Sequence, residues 1–570
     1  MCGIWCLAKQ KGDHSITEEK AMQIINETLS NRGPEGGRVV TLLEQVLLGF
    51  TRLAINGLTN EGMQPFEHNG IWSVCNGEIY NYREIAARHG YDLKTGSDCE
   101  VLPYLYETHK TRPDLIWKEL DGVFAAIIID TNRGTLMVAR DPYGVRPLFI
   151  GTLASTSRHI FHEQIAFGSE LKSLKDLTLD HVYQYPPGHY SVYDLATLSV
   201  MNFDQYHDYP GDEWQHCNDC RTAKPLINDV EEAKRRIRLA LKMAVKKRML
   251  AERPVAALLS GGVDSSLIAA LVSRELMDAK QPPLNTFSIG FEGSEDLKYA
   301  RLVADHIGSD HHEIIMTPDD FFEAIPEVIK DIESFDTTSV RASVGNWLIA
   351  REIRRRTDCK VVFNGDGSDE VFGSYMYFYN APSDEEFERE SYRLLKEICY
   401  FDVLRSDRSI SSHGLEPRTP FLDKTFVAAA KSVATSLRRP MKGFQSEKWI
   451  LREAFNGLDL LPKAVLWRKK EAFSDGVSGP QKLWYQEIQE RLLTSRIFSV
   501  FSGGSGDPMK ADPEWNYHMM PETEEDIYYR YLFEKYYKGK AEVIPYKWMP
   551  RWCEGATDPS ARTLKTYDES

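Results

Sequence analysis

The segment PVAALLSGGVDSS, residues 254–266, joins an apolar run to a glycine turn and then to a helical pattern. Pro254–Leu259 predicts a strand, and Ser265–Leu276 predicts a helix. Strands and helices continue to alternate downstream. The further strands are predicted at Asn285–Phe291, Glu313–Met316 and Lys360–Phe363, and a further helix at Asp296–His306. Alternation of this kind predicts an α/β domain with a doubly wound parallel sheet.

The glycine turn has the composition of a phosphate-binding loop. Gly261 and Gly262 would let the backbone approach an anion closely, while Ser hydroxyls and the helix N-terminus supply donors. No G-x-x-x-x-G-K-[S/T] sequence occurs in the chain, so this is not the usual nucleoside-triphosphate loop. Asp264 would repel a bare phosphate, and a bridging Mg²⁺ would remove that conflict. A tight structural turn is the alternative interpretation.

A second acidic, glycine-rich segment, NGDGSDEVFG at 364–373, follows the predicted strand Lys360–Phe363. Three carboxylates in one loop are costly unless they meet cations or a nucleotide. Ligands of open α/β sheets bind at the carboxyl ends of the strands, so we expect both loops to face one crevice. A solvated acidic loop is the alternative.

Length and composition limit the classes of function. The 570 residues exceed the size at which one hydrophobic core stops growing, so two or more domains are expected. The chain has 69 basic and 84 acidic residues, a net charge of −15, which argues against nucleic acid or an anionic membrane as a partner. No apolar run approaches the roughly 18 residues of a membrane span. The first residues, Met1–Cys6, lack the basic and apolar pattern of a secretory signal, so none is expected there. Nine cysteines argue against a disulfide framework, so a cytoplasmic location is expected.

The N-terminal part is strand-rich, with helices predicted at Thr17–Leu29 and Cys99–Thr108, which indicates an α+β layered domain. We expect this domain at 2–205, a linker at 206–228, a second domain at 229–553 and a loose tail at 554–570. In the linker, Cys217 and Cys220 have a zinc-like spacing, but no second pair follows, so an ordinary linker is favoured. The next helix has Ile237, Leu241 and Val245 on one stripe and basic residues, from Lys234 to Arg248, on its other faces. A solvated or acidic-partner face is the default interpretation, and a nucleic-acid contact is the alternative.

Cys2 is the candidate nucleophile of the first domain. If Met1 is removed, Cys2 carries both a thiol and an α-amino group that can accept a proton near neutral pH. The Asn76 amide and the Gly77 N–H could stabilise a tetrahedral oxyanion. Arg52 and Asp98 are the minimum set for binding the α-carboxylate and α-ammonium of an amino acid. Taken alone, a cysteine at position 2 could also be arbitrary.

Six segments together resemble a class II glutamine amidotransferase domain: 1–4, 32–34, 52–55, 76–81, 95–98 and 139–148. The resemblance implies a fold of the N-terminal nucleophile hydrolase type, in which Cys2 attacks glutamine, forms a thioester and releases ammonia. It implies Cys2 as nucleophile and base, with Asn76 and Gly77 as the oxyanion hole. The implied glutamine-binding residues are Arg52, Leu53, Ala54, Ile55, Asn56, Asn76, Gly77, Glu78 and Asp98. Glu35 stands where Asp is commoner, and little consequence is expected.

The 260–266 loop resembles the pyrophosphate loop of the ATP pyrophosphatases. With segments 333–336, 340–343, 414–423, 447–453 and 467–476, the chain resembles the glutamine-hydrolysing asparagine synthetases over roughly residues 1–555. The implied ATP-binding residues are Leu258, Ser260, Gly261, Gly262, Asp264, Ser265, Ser266, Ile289, Asn364 and Gly365. The resemblance also implies Mg²⁺ at Asp264 and Asp369, a catalytic Lys448 that neutralises phosphate charge, and a catalytic Asp366 that supports the adenylate.

Two residues depart from the family pattern, which usually reads Ser-Gly-Glu where this chain has Asn364-Gly365-Asp366. Asp366 keeps the charge of Glu but is one methylene shorter. A displacement near 1 Å can cost on the order of 100-fold in rate. Slow activity and compensation by the backbone both remain open.

The resemblance implies that aspartate, glutamine, ATP and water give asparagine, glutamate, AMP and diphosphate, through β-aspartyl-AMP and channelled ammonia. The expected partners are therefore small molecules, and the oligomeric state is left open, a homodimer being one option. One alternative is an amidotransferase of the same architecture that acts on another carboxylate. The others are a catalytically weak homologue used for binding or assembly, and a free-standing glutaminase, against which the intact 260–266 loop argues.

Overall fold

The computed structural model describes residues 1–155, 162–209, 226–479, 481–494 and 518–564. The chain divides into two compact units. The first contains Met1–Asp208, Leu250–Arg253 and Ser411–Glu416, and the second contains the remainder. Most of the expected linker lies outside the described residues, as do Cys217, Cys220 and the end of the expected tail.

Among the described residues, the first unit contains two six-stranded antiparallel sheets, ordered β10-β8-β9-β1-β3-β2 and β12-β11-β7-β6-β5-β4. The strands are β1 Gly3–Lys9, β2 Gly37–Leu42, β3 Val46–Thr51, β4 Phe66–His68, β5 Ile71–Ile79, β6 Gly122–Asp130, β7 Thr135–Arg140, β8 Phe149–Ala154, β9 His162–Gly168, β10 His181–Gln184, β11 His189–Asp194 and β12 Ser199–Gln205. The helices are α1 Glu18–Leu29, α2 Tyr82–His89, α3 Val101–His109 and α4 Pro113–Glu119.

The two sheets pack face to face and helices cover their outer faces. Ile4 and Leu48 of one sheet share a buried cluster with Val74 and Ile127 of the other. A second buried cluster packs α3 and α4 against the opposite face of β5 and β6, for example through Trp117. This arrangement confirms the predicted α+β layered sandwich.

The second unit is built on a five-stranded sheet in the order β15-β14-β13-β16-β17. Its strands are β13 Val255–Leu258, β14 Asn285–Gly290, β15 Asp310–Ile315, β16 Val361–Phe363 and β17 Glu416–Arg418. The register of β13 with β14 and β16, and of β14 with β15, is parallel. The chain leaves β13 toward β14 on one side and returns to β16 on the other, so a topological switch point lies between β13 and β16. The predicted doubly wound parallel sheet is confirmed.

Helices surround this sheet. They are α5 Val230–Lys247, α6 Val263–Asp278, α7 Glu295–Ile307, α8 Pro318–Ile332, α9 Thr337–Arg356, α10 Ser368–Phe372, α11 Asp384–Glu397, α12 Asp402–Ser411, α13 Lys424–Lys431, α14 Thr435–Arg438, α15 Trp449–Phe455, α16 Lys463–Leu466, α17 Phe473–Gly476, α18 Trp484–Thr494 and α19 Glu524–Tyr536. Among the described residues, no helix is both long enough and apolar enough to span a bilayer.

The basic helix α5 behaves as the default interpretation predicts. Ile237 and Leu241 are buried. Its cations pair with acids of the same chain: Arg235 with Glu232 at 2.8 Å, and Lys247 with Asp423 at 2.7 Å. The positive charge of α5 is therefore largely compensated within the protein.

Several elements of the first unit were not predicted from the sequence. They are β1, β2, β4, β8, β10, β11, β12, α2 and α4. β12 is mostly exposed, so it carries no continuous apolar run. The helices α2 and α4 have 8 and 7 residues, too short to display a clear helical periodicity.

Candidate active sites

The Cys2 thiol of the first unit lies beside the first turn after β3. Cys2 Sγ is 3.5 Å from both the amide nitrogen and the carbonyl oxygen of Leu53. β1 pairs with β3 so that Gly3 lies opposite Thr51, which brings the start of the chain next to Arg52. Sheet pairing thus joins the predicted nucleophile to the predicted glutamine-binding segment.

The structure contains Met1, whose amino group is an electrostatic neighbour of the Cys2 thiol. Met1 is buried, and burial lowers the pKa of its amino group to about 5. Burial raises the pKa of the Cys2 thiol to about 11, although the nearby terminal amine acts in the opposite direction. At neutral pH, only about 1 thiol in 10,000 would be ionised at such a pKa. With Met1 attached, Cys2 is therefore a poor nucleophile.

The segment 52–57 is held rigidly from two sides. The Arg52 guanidinium donates to the carbonyl oxygens of Thr59, at 2.7 Å, and Gly57. Glu35 accepts a hydrogen bond from the Ala54 amide at 2.9 Å, and its other oxygen pairs with Arg253 at 3.1 Å. Glu35, which stands where the family more often has Asp, thus fixes the backbone of a predicted glutamine-binding segment.

The predicted oxyanion donors lie in β5. Asn76 is fully buried, and neither polar atom of its side-chain amide has a hydrogen-bond partner among the described residues. A buried amide without partners is costly, and this one keeps its full hydrogen-bonding capacity for a further polar group. Gly77 is the next residue of the same strand, opposite Phe124.

The Asp98 carboxylate is buried next to the same segments. Its Oδ2 accepts a hydrogen bond from the Ile79 amide at 2.6 Å. Burial raises the pKa of Asp98 to about 6, despite that hydrogen bond. A Cβ placed on Gly57 would lie 2.6 Å from the Ser97 nitrogen, so the segment after Arg52 contacts the residue before Asp98. The Glu78 carboxylate accepts a hydrogen bond from the Asn56 side-chain amide at 2.7 Å, which joins strand β5 to the segment after Arg52.

In the second unit, a cavity of about 250 Å³ lies at the switch point between β13 and β16. A Cβ on Gly365 would be 2.7 Å from the Ser265 nitrogen, so the two glycine-rich loops touch, as the strand-end rule predicts. The predicted residues that line this cavity are Leu258, Ser260, Gly262, Asp264, Ser265, Ile289, Asn364, Gly365, Asp366, Asp369 and Lys448.

Two predicted ATP-binding residues do not line the cavity. Gly261 has a φ of +71° and packs against Tyr299, where a Cβ would be 2.5 Å from the Tyr299 Cβ. Ser266 is fully buried within α6. Gly261 shapes the turn and Ser266 packs beneath it, and their predicted contact with ATP stays a prediction.

Lys448 is the centre of charge in the cavity. Its Nζ lies 2.5 Å from Asp264 Oδ2 and 2.7 Å from Asp369 Oδ1, and the side chain is buried. Lys470 adds a second ammonium 2.6 Å from Asp369. Burial acts to raise the pKa of Asp369, but the two ammonium groups outweigh it and hold the pKa well below its usual value. The cavity therefore holds two carboxylate and two lysine side chains next to one another.

The backbone at Lys448 is unusual. Lys448 has a φ of +55°, in the left-handed region, and it is the residue from which α15 begins. This conformation costs about 1–2 kcal/mol for a residue with a Cβ. Such strain is typical of positions where a functional side chain is aimed by its surroundings.

Asp366 belongs to a separate ion cluster of the cavity wall. Asp366 Oδ1 lies 3.3 Å from Arg405, which also pairs with Asp402 at 2.9 Å. Burial raises the pKa of Asp366, and the Arg405 charge opposes this. The Asn364 side-chain amide donates to the Ser406 hydroxyl at 2.6 Å. Asn364, which stands where the family usually has Ser, therefore attaches the second glycine-rich loop to α12.

Several charged residues of the cavity were not predicted from the sequence. The Arg468 guanidinium stacks on the Tyr299 ring at 4.3 Å and donates to the Ser260 carbonyl at 3.2 Å. Lys470 and Arg405 bring further positive charge. The basic run at 468–470 was the available signal, but nothing in the sequence indicated which of its residues faces the loops.

The residues predicted to hold Mg²⁺ suit that ion chemically. Mg²⁺ prefers hard oxygen ligands and keeps several waters when it binds with nucleotide phosphates. Asp264 and Asp369 supply carboxylates, and Asp264 Oδ1 is buried without a hydrogen bond among the described residues. The donor set therefore fits the ion.

An antiparallel sandwich with a cysteine near its start, joined to a parallel-sheet domain with two glycine-rich strand-end loops, defines the class of glutamine-dependent ligases. The Glutamine amidotransferase domain model matches residues 1–197, and the Asparagine synthase model matches 236–385 and 380–552. The chain belongs to the asparagine synthase family.

Curated relatives match along their whole length. The chain is 40% identical over 588 residues to asparagine synthetase [glutamine-hydrolyzing] of Gallus gallus, with 100% of this chain and 99% of the relative covered. It is 39% identical over 592 residues to the same enzyme of Homo sapiens, with the same coverage.

Proposed function

We propose that this chain is an enzyme that makes asparagine from aspartate, with glutamine as nitrogen donor and ATP as the source of activation. Full-length identity of about 40% to glutamine-hydrolysing asparagine synthetases supports the overall reaction. The observation that carries the chemistry is the pair of glycine-rich loops around Lys448, Asp264 and Asp369.

In the first unit, Cys2 would attack the glutamine side-chain amide. The C–N bond breaks, ammonia leaves, and water then hydrolyses the thioester to glutamate. Asn76 and Gly77 would donate hydrogen bonds to the oxyanion, and Arg52 and Asp98 would bind the α-carboxylate and α-ammonium. The raised pKa of Cys2 in the Met1-containing chain supports removal of Met1, since the freed α-amine of Cys2 can then take the thiol proton.

In the second unit, the side-chain carboxylate of aspartate would attack the α-phosphorus of ATP. The α–β phosphoanhydride bond breaks, giving β-aspartyl-AMP and diphosphate. Lys448 and Lys470 lie 2.7 and 2.6 Å from Asp369, and their charges would also neutralise the departing diphosphate. When bound at Asp264 and Asp369, Mg²⁺ would neutralise phosphate charge. Ammonia, passed on within the protein, would then displace AMP and give asparagine.

Asp366 bears on the choice among functions. Its carboxylate lines the cavity and is oriented by Arg405, so the shorter side chain keeps a fixed position there. This arrangement supports an active enzyme over a homologue that only binds. We also propose a cytoplasmic location, because the seven cysteines that the structure describes are all free thiols.

The two-site proposal is tested by separating the nitrogen sources. Cys2→Ala should lower glutamine-dependent asparagine formation by at least about 1,000-fold, because the nucleophile is lost. Ammonia-dependent formation should be unchanged. Cys553→Ala, which removes a half-buried thiol of the second unit, should keep both activities. If Cys2→Ala lowers both activities equally, the assignment of two sites is wrong.

A further inference from the structure

Three helices of the first unit end at one point on the outer face of the sandwich. His89 is the last residue of α2, His109 the last residue of α3, and Glu119 the last residue of α4. Their side chains are about one-fifth exposed, between 19% and 22%. The three groups are therefore partly withdrawn from water yet still reachable from the surface.

The two histidine nitrogens converge on the Glu119 carboxylate. His89 Nε2 is 3.1 Å and His109 Nε2 is 3.5 Å from Glu119 Oε2, and all three atoms lie within 4.8 Å of one another. Zinc binds imidazole nitrogen and carboxylate oxygen at about 2.0–2.2 Å, which makes the edge of its tetrahedron about 3.3 Å. The two measured separations bracket that edge.

One of these atoms lacks a hydrogen bond. His109 Nε2 is buried and makes no hydrogen bond among the described residues, although the Glu119 carboxylate is close. The His89 and His109 rings meet edge to face at 5.6 Å, so both nitrogens reach the carboxylate from different directions. A cation between them would satisfy all three groups at once.

The electrostatic surroundings favour a cation. The carboxyl end of a helix carries a partial negative charge, and three such ends meet here. One neighbour opposes this: Arg88 pairs with Glu119 Oε1 at 2.9 Å. Arg88 is 58% exposed, so it can move into water. Its partner Oε1 is also 3.2 Å from His89 Nε2, whereas His109 approaches Oε2.

We propose that His89, His109 and Glu119 form a zinc site, with water as the fourth ligand. Two imidazoles and one carboxylate are a known tetrahedral zinc set. The site would tie together the ends of three helices. α3 follows directly after the turn Asp98–Glu100, so a fixed α3 also steadies the loop that carries Asp98.

Cobalt(II) is the probe for the full-length protein, because tetrahedral Co²⁺ absorbs visible light far more strongly than octahedral Co²⁺. We expect one equivalent of Co²⁺ to give a tetrahedral spectrum that one equivalent of Zn²⁺ abolishes. Zinc at about 100 times its dissociation constant should raise the melting temperature of the first unit by about 5 °C.

The variants separate this site from other metal-binding groups. His109→Ala and Glu119→Gln should each weaken zinc binding on the order of 100-fold or more. His68→Ala is the matched control, since His68 forms a single histidine–carboxylate pair with Glu107 at 2.9 Å, also against α3, and should bind zinc normally. Arg88→Ala should bind zinc equally or more tightly.

Three results would overturn the proposal. One is the absence of a tetrahedral Co²⁺ spectrum in the wild-type chain, which needs no variant to fold. Another is a thiolate-to-cobalt charge-transfer band that disappears in Cys2→Ala, which would assign the metal to Cys2. The third is unchanged zinc affinity in folded His109→Ala, which would leave the three residues as a hydrogen-bonded cluster only.

Discussion

Replacement of Lys448 should separate the chemistry of the second unit from that of the first. Lys448 Nζ bridges Asp264 and Asp369 at 2.5 and 2.7 Å, and Lys470 reaches only Asp369. Lys448→Ala therefore removes the ammonium shared by both carboxylates. It also removes a buried cation from the cavity in which diphosphate charge would develop.

The expected magnitude follows from the loss of one preorganised charge. Loss of one such group at a developing charge costs about 2.7–4 kcal/mol, or about 100- to 1,000-fold in rate. Lys448 also has a φ of +55°, so Lys448→Gly should be about 1 kcal/mol more stable than Lys448→Ala. The two variants should nevertheless lose equal activity, because neither carries an ammonium group.

The assay is AMP and diphosphate formation from ATP, aspartate and ammonium. Glutamine hydrolysis in the same preparation reports on the first unit and should be unchanged. Lys442→Met, an exposed lysine six residues earlier, is the control and should behave as wild type. AMP formation within about fivefold of wild type in Lys448→Ala would refute the role given to this charge. Recovery of activity in Lys448→Gly would show that instability had caused the loss.

Two further predictions concern glutamine binding. Burial raises the pKa of Asp98 to about 6, and only the ionised form can pair with an ammonium group, so the glutamine KM should rise about tenfold per pH unit below pH 6. Asp98→Asn should show a high glutamine KM that does not change between pH 5 and 7, about one unit on each side of that pKa. A wild-type KM that is constant across this pH range would contradict the assignment. Glu35→Ala should raise the glutamine KM by about 10- to 100-fold with a smaller change in kcat, because Ala54 loses its acceptor, while exposed Glu61→Ala should not change the KM.

The crevice of the second unit was predictable because it follows from strand order. The loops SGGVDSS and NGDGSDE each follow a strand, and they must meet if the two strands are parallel neighbours. The strands are such neighbours, and Gly365 does approach Ser265. Lys448 could be named only from the family resemblance. Its position between two carboxylates depends on a left-handed backbone conformation that no local pattern indicates.

Other residues could not be found from the sequence for a physical reason. Arg468 reaches the Ser260 carbonyl across 208 positions of chain, and no periodicity encodes such a contact. His89, His109 and Glu119 come from the ends of three short helices, so they have no motif spacing. Sequence patterns report local structure, whereas these groups meet only through packing of helices on a sheet.

The most direct test of the account is the fate of ATP during glutamine-dependent turnover. With ATP labelled in the α-phosphate, aspartate and glutamine, the account predicts AMP, diphosphate and asparagine in equal amounts. With [¹⁸O]aspartate labelled in the side-chain carboxylate, one labelled oxygen should appear in AMP. Formation of ADP and phosphate, or AMP without labelled oxygen, would contradict it.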